Sequence, residues 1–496
     1  MGARALLLAA LLLQPGLVPA QAQTQAPTAG APSAAMRSHV WIVGGGSDPQ
    51  DGSGRIERDV LWLTELMRAA TPRVDLKVFL ADAAPELRLR QQPAEHREPG
   101  LPLARIFGQQ AFHADQYRVQ RLPEVAGGAR ADQLALALKR NFSALRAGER
   151  SLLVFSAQVD PDLSDRADHA LRLWDDTRMP MHELEALAAL APANAPMRFV
   201  FAQCHASGFL RLIRPQARDR ATLSGHDRCG FVAAPAEPRS GACSPGPRGS
   251  APVGEDSDYL EDFFSALSGR ARPGAAAADR DHDGVITLHE AHVHALIEGR
   301  HADLPRSTSE AYLERWQPFW LRALDTRSEH GNDYGRLAAE LATRLQLPPQ
   351  GPALRRAMAT RQTQLELRRQ DIIDQLGRLD GEIGRLQTAL QRSLMQRWPE
   401  AAHARTATYL RFLSTESAAV QAHLTARADY AQLVRRQDHQ TVLLRDRASV
   451  ERDLAQLDKV RRLRQLARLK AQFERLASPE ARGEYQRLLD CERTPL

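Results

Sequence analysis

At 496 residues the chain exceeds what one hydrophobic core usually supports, so two or three domains are the starting expectation. Its 43% apolar and 25% charged residues exclude a chain that is disordered as a whole. The net charge is +6, acidic residues are interspersed with the arginines, and no basic face is interleaved with aromatics, which argues against nucleic acid as a partner.

The first residues, MGARALLLAALLLQPGLVPAQA, carry one Arg, an apolar run from Ala5 to Leu13 and a small-x-small site at Ala20-Gln21-Ala22. That layout predicts a cleavable secretory signal over 1–22, since the apolar run is too short to span a bilayer; an uncleaved anchor is the competing reading. A Thr/Ala/Pro-rich linker over 23–37 follows and need not fold. No later segment is apolar enough for a transmembrane span, so the expected location is outside the cytoplasm, periplasmic or secreted. The chain has four cysteines, Cys204, Cys229, Cys243 and Cys491. In an oxidising compartment Cys229 and Cys243, which bracket GFVAAPAEPRSGA, are the local candidates for a disulfide, a pairing that spacing alone leaves open.

In chain order, HVWIVGGG from His39 reads as a buried strand ending in a glycine turn, RIERDVLWLTELMRAA as an amphipathic helix and VDLKVFLAD as a second strand. The Pro-rich, charged stretch from about Pro85 to Gly128 is expected to be a long surface insertion. Then DQLALALKRNFSAL is helix, SLLVFSA strand, MHELEALAAL helix and MRFVFAQC strand, followed by a short strand GFVAA and the helices DYLEDFFSALSG and TSEAYLERWQPFWLRAL. Alternating strand and helix predict an α/β fold with a mostly parallel sheet, helices on both faces and functional groups at the carboxyl ends of strands. This domain is expected over 38–330.

From about Pro352 to Leu488 the texture changes to Leu, Arg, Gln and Glu. Met358, Leu365, Ile372, Leu379 and Leu386 recur every seven residues, with Leu376, Ile383 and Leu390 between them, which makes an apolar seam on a coiled-coil-like helix. The break at Trp398-Pro399 predicts an antiparallel helical hairpin over 352–488. The seam serves packing within the chain or self-association; the first is the simpler reading.

Cys204 follows a predicted strand and precedes the small residues Ala206, Ser207 and Gly208, a place suited to a nucleophile with backbone donors nearby. The order of elements, with VGGGSDPQDGSGRIERDVLWL, SLLVFSAQVD, LRLWDDTRMPMHELEAL and FAQCHASGF, resembles the caspase-like cysteine peptidases of the legumain (C13) type, in the bacterial exported branch, over roughly Ser38 to Arg300. The resemblance implies a caspase-like fold, with Cys204 at the nucleophile position. It also implies a catalytic His after the middle strand, and there the chain departs from the family: Gln158 occupies that place. A glutamine amide forms hydrogen bonds but takes no proton at neutral pH. His169, in the loop just after that turn, is the best substitute base. His205 is a poorer one, because neighbouring side chains at a strand end point apart.

The segment 279–290, DRDHDGVITLHE, fits D-x-D-x-D-G-x5-E in full. This EF-hand spacing offers a calcium ion the carboxylates of Asp279, Asp281 and Asp283, the Val285 carbonyl, Thr287 directly or through water, and bidentate Glu290. No helix leads directly into the loop and no second loop pairs with it, so a structural staple is expected rather than a sensor.

Three readings follow. The first is an exported protein of cysteine-peptidase ancestry whose activity is impaired by Gln158, whose cleft still accepts peptide segments and which binds Ca2+. The second is an active cysteine endopeptidase using Cys204 with a non-standard His. The third is a structural or scaffolding envelope protein acting through its helical domain.

Overall fold

The computed structural model describes residues 38–44, 54–70, 74–81, 88–90, 101–107, 117–119, 121–122, 124–156, 158–160, 169–202, 206–215, 222–235, 259–269, 277–318, 331–402 and 407–495. The proposed signal and linker, and residues 319–324 at the end of the last helix expected in the α/β region, lie outside them.

The strands of the first half form where apolar runs are longest. β1 (Ser38–Gly44), after which come helix α1 (Gly54–Ala70) and β2 (Val74–Leu80), is buried from Val40 to Gly44. Successive side chains of a strand point to opposite faces, so Val40 and Ile42 enter one core while Trp41 and Val43 enter another. Both faces are covered, which is why the strand reads as continuous apolar sequence rather than as an alternation. In α1 the buried Val60, Leu63 and Met67 fall at helical spacing and pack on the Val40 side.

The intervening stretch, expected as surface, holds β3 (Arg88–Arg90), α2 (Leu101–Phe107) and β4 (Tyr117–Val119), with β3 and β4 antiparallel. The expectation fails at α2. Leu103 and Ile106 are buried, and the carbonyls ending this short helix accept hydrogen bonds from glutamines of the helical tract described below.

Next come α3 (Ala131–Ala144), β5 (Arg150–Ser156), the short strands β6 (Gln158–Asp160), β7 (Ala170–Arg172) and β8 (Arg178–Pro180), then α4 (Met181–Ala188) and β9 (Met197–Phe201). A 3-10 segment over Ala206–Ile213 leads to β10 (Arg228–Pro235), α5 (Tyr259–Leu267), α6 (Leu288–Glu298), β11 (Asp303–Ser307) and α7 (Thr308–Trp316). The central sheet has six strands in the order β11-β10-β9-β5-β1-β2. All neighbours are parallel except β10 and β11. One face is covered by α1, α5 and α6, the other by α3, α4 and the 3-10 segment. This is the mostly parallel α/β architecture that the strand and helix order predicts.

The carboxyl-terminal part is helical: α8 (Asp333–Arg344), α9 (Gly351–Arg397), α10 (Ala407–Thr425), α11 (Ala428–Leu476) and α12 (Pro479–Glu492). Every seam residue of α9 from Met358 to Leu390 is buried except Leu386, which packs against the buried ones. The partner is α11, through Leu433, Leu443, Val450 and Leu454. Ion pairs Arg361–Asp453, Arg368–Asp446 and Arg436–Glu382 descend one helix as they climb the other, so the two run antiparallel. The seam and the Trp41 face of the sheet belong to one buried cluster.

The Cys229–Cys243 pairing is corrected. Cys229, in β10, is bonded to Cys491 in α12, 262 residues away. Cys243 lies outside the described residues. Local bracketing favoured the nearer thiol, but the chain's last helix returns to the sheet and brings the distant one within reach.

Candidate functional site

The sheet has a topological switch between β1 and β5. From β1 the chain steps outward to β2, then returns to build β5, β9 and β10 on the other side. Connections therefore leave the carboxyl ends of β1 and β5 in opposite directions, and in open α/β sheets the crevice this creates is where ligands bind.

The two segments singled out in the sequence follow β5, which borders this switch, and β9, which lies beside β5. Phe155 of β5 and Phe201 of β9 are in register, and the Ala202 amide donates to the Phe155 carbonyl at 3.1 Å. Gln158 stands three residues beyond Phe155 and Cys204 three residues beyond Phe201. Beneath the exit lies a stack of rings. Phe155 lies parallel to Phe201 with centroids 5.0 Å apart, and Phe209 of the 3-10 segment stacks on Phe201 at 4.6 Å. The side chain of Gln158, and Cys204 and His205 entirely, lie outside the described residues.

Gln158 opens β6, directly opposite Arg172 of β7. The three-stranded sheet β6-β7-β8 is an addition the sequence reading lacked. Its far turn carries Asp175 and Asp176 at φ +60° and +53°, a left-handed pair that Asp tolerates better than most residues. Arg130 binds the Asp175 carboxylate, and Arg172 Nε donates to Asp176 at 2.6 Å. The signal was the Asp-Asp pair in LRLWDDTRMP, a turn former between two short apolar pieces.

His169 precedes β7, and its carbonyl accepts from the Met181 amide at 3.0 Å. It is 9% exposed. Its side chain lies close against Gly208: a Cβ added there would meet Cγ at 2.7 Å and Nδ1 at 2.9 Å. Gly208 is four residues past Cys204, so the structure brings the His169 ring to the 3-10 segment that follows Cys204 in the chain.

The acidic loop forms a second site. Carboxylate oxygens of Asp279, Asp281 and Asp283 lie within 4.8 Å of one another. The bend is made by His282 at φ +62° and Gly284 at φ +86°. It is held by Asp279 Oδ2, which accepts from the Gly284 amide at 3.0 Å, and by Asp283 Oδ1, which accepts from Val285 at 2.8 Å. Asp279 Oδ1 is buried without a hydrogen-bond partner, a position that suits a bound cation. Glu290 reaches back into the loop, Oε1 accepting from Arg280 at 2.8 Å and Oε2 from Thr287 at 2.9 Å, and with Thr287 it caps α6. Burial pushes the Glu290 carboxyl up, but the amides of Thr287 and Arg280 outweigh it and hold the group below its ordinary range. Ile286, half-buried, packs against the core beside α6. Carbonyl and carboxylate oxygens in this number are a hard-cation donor set, and the residues present fit calcium. The residues just before Asp279, Ala277 and Ala278, are not helical, and α5 ends at Leu267, in keeping with a loop that has only its exit helix.

No family model and no curated protein matches the chain. Among solved structures, protein GSU0716 from Geobacter sulfurreducens is 11% identical over 55% of this chain and 92% of its own, with a TM-score of 0.30. The Drosophila initiator caspase Dronc is 12% identical over 55% of this chain and 72% of its own, with a TM-score of 0.27. The class of the protein therefore rests on its own architecture: an α/β chain with a mostly parallel six-stranded sheet, which fits a caspase-like fold, followed by a long helical region. Among the described residues no helix is long and apolar enough to cross a membrane.

Proposed function

We propose that the chain is an exported caspase-like protein of the legumain type whose peptidase chemistry is impaired, and which holds one calcium ion in the 279–290 loop. The observation that supports this reading is that β5 and β9, the strands that end three residues before Gln158 and Cys204, are adjacent, parallel and in register, with β5 also bordering the switch point. A cysteine nucleophile needs its proton removed, and the leaving amine needs one supplied. An amide at the base's place does neither, and loss of a positioned proton-transfer group slows such reactions by about a hundredfold to ten-thousandfold. The retained crevice is a site for peptide segments. A disulfide between Cys229 and Cys491 suits an oxidising compartment and supports export. In the calcium loop, Asp279, Asp281, Asp283, Glu290, the Val285 carbonyl and Thr287 supply the oxygens, and the ion would brace the start of α6.

One observation favours the second reading, an active endopeptidase: the seat of His169 against Gly208. Labelling with a peptidyl chloromethyl ketone separates the two. The expected outcome is slow modification that depends on Cys204, is lost in Cys204→Ala, and accelerates only as pH rises toward the pKa of an ordinary thiol, about 8.5. Fast labelling at neutral pH that disappears in His169→Ala would transfer the conclusion to the active enzyme.

A further inference from the structure

The end of the chain is fastened to the body of the fold by groups of several kinds. Cys491 is bonded to Cys229, near the start of β10, the strand next to the β11 edge of the sheet. The next residue, Glu492, is fully buried, and its carboxylate accepts from Thr308 Oγ1, the Ser309 amide and Ser309 Oγ, each at 2.7 Å, at the amino end of α7. Two residues on, the Thr494 carbonyl accepts from the Leu288 amide that opens α6, and its hydroxyl accepts from Arg198 Nε of β9. Earlier in α12, Glu484 accepts from the Leu223 amide and the Tyr312 hydroxyl.

These contacts pull in opposite directions. Tyr485, Leu488 and Leu489 gain by burial, whereas a carboxylate taken wholly out of water costs heavily and recovers that cost only through well-placed donors. A helix of 14 residues is too short to hold its shape in water once it leaves the body. Docking without the covalent link is therefore reversible, and the link makes it permanent by keeping α12 at its seat. The bonded cysteines are 0% and 4% exposed, so a thiol reagent reaches them only when α12 lifts.

We propose that Cys229 and Cys491 form an oxidation-dependent clasp that locks α12 and the tail onto the sheet. While both are thiols, as in a reducing cytoplasm before export, the segment docks and lifts; oxidation outside closes it. In the closing step one cysteine thiolate attacks the disulfide of a donor protein or glutathione disulfide and releases one donor thiolate. The second cysteine then attacks the mixed disulfide and releases the other, so two electrons and two protons pass to the donor. The compartment assignment rests on the export reading, but the clasp itself does not.

The test is hydrogen exchange on the purified full chain, oxidised and then reduced with dithiothreitol, with the gain of two hydrogens confirmed by mass. Reduction is expected to speed exchange about tenfold or more at Leu288, Ser309 and residues 481–493, while β1 and β5 keep their protection. Glu492→Ala is expected to speed reduction of the bond at fixed dithiothreitol by a similar factor, because it loosens the seat. Protection of α12 unchanged after complete reduction overturns the proposal. So does loss of protection in β1 and β5 along with α12, which would make the bond a support of the whole fold. A reduction rate unmoved by Glu492→Ala removes the gating step. If Cys491→Ser fails to fold, chemical reduction of the unaltered chain still gives the reading. Export does not enter the measurement, so the two proposals fail separately.

Discussion

Lys459 shows how a single residue can carry a pH dependence for the whole fold. Its ammonium is fully buried and donates to the Gly299 carbonyl at 2.9 Å, sharing that acceptor with Gln456. Burial lowers its pKa from 10.5 to about 8, against the pull of the Asp303 and Asp262 carboxylates. Between about 8 and 10.5 the unfolded chain holds a proton that the folded chain has lost, so stability rises with pH through this window. Below about 8 both states are charged and the folded one bears the full cost of the buried cation. Lys459→Met keeps the methylene packing and is expected to raise stability at pH 7 by about 2 kcal/mol after allowing for the lost hydrogen bond. The gain should shrink as pH approaches the top of the window, and urea unfolding at both ends measures it. A variant less stable than the parent at both pH values would show that Asp262 and Asp303 compensate the ammonium in full. Glu310 is the opposite case. Burial raises its pKa, but Arg462 and His292 overcome that and hold it far below the carboxylate range, so its contribution is fully present above the ordinary carboxylate pKa and is lost progressively as the pH falls from there into strong acid.

At the scale of elements, what was legible in the sequence followed from length and periodicity. β1, β5 and β9 were readable because strands buried on both faces are unbroken apolar runs, and the α9 seam because its leucines and isoleucines repeat every seven residues. The short elements were not. β6, β7 and β8 have three residues each, too few to show a period, and β11, DLPRS, carries a proline and two charges. α2 hid among prolines because its two core residues, Leu103 and Ile106, are buried by helices some 280 to 330 residues further on. The acidic loop was the reverse: its spacing alone offered a full set of candidate donors, and the fold gathers three of the carboxylates. Glu290 serves both the loop and the cap of α6, and Glu290→Gln separates the roles, since glutamine also completes a capping box but offers no charged bidentate ligand. Calorimetric titration should show calcium binding to the parent chain and an affinity at least about tenfold weaker in Glu290→Gln. In chelator the two should melt alike, within about 1 kcal/mol. Equal affinities, or no heat with the parent chain, would remove the ion from the account.

On the scale of the whole molecule, the texture change near residue 352 suggests a detachable helical domain, and the chemistry at the boundary argues against detachment. Arg462 of α11 is buried and donates to Glu310, Glu314 and the Pro305 carbonyl, three acceptors on β11 and α7. Removing it leaves the buried Glu310 carboxylate without its arginine, with only His292 and the Ser307 amide against it, a loss approaching the roughly 3–5 kcal/mol of a broken buried pair. That is comparable with the whole stability of an ordinary domain, about 5–15 kcal/mol. The same truncation takes Glu492 from the amino end of α7, Cys491 from Cys229, and the apolar cover from Tyr312 and Leu313. A chain ending at Pro349 is therefore expected to lack a cooperative thermal transition and to aggregate, whereas the full chain melts in one step, as circular dichroism and size-exclusion chromatography can establish. A monodisperse fragment 37–349 with a sharp melt would show that the sheet stabilises itself. The helices would then be a separable domain, free to be released or to engage a partner, and the buried charges across the boundary would set its docking rather than the survival of the fold.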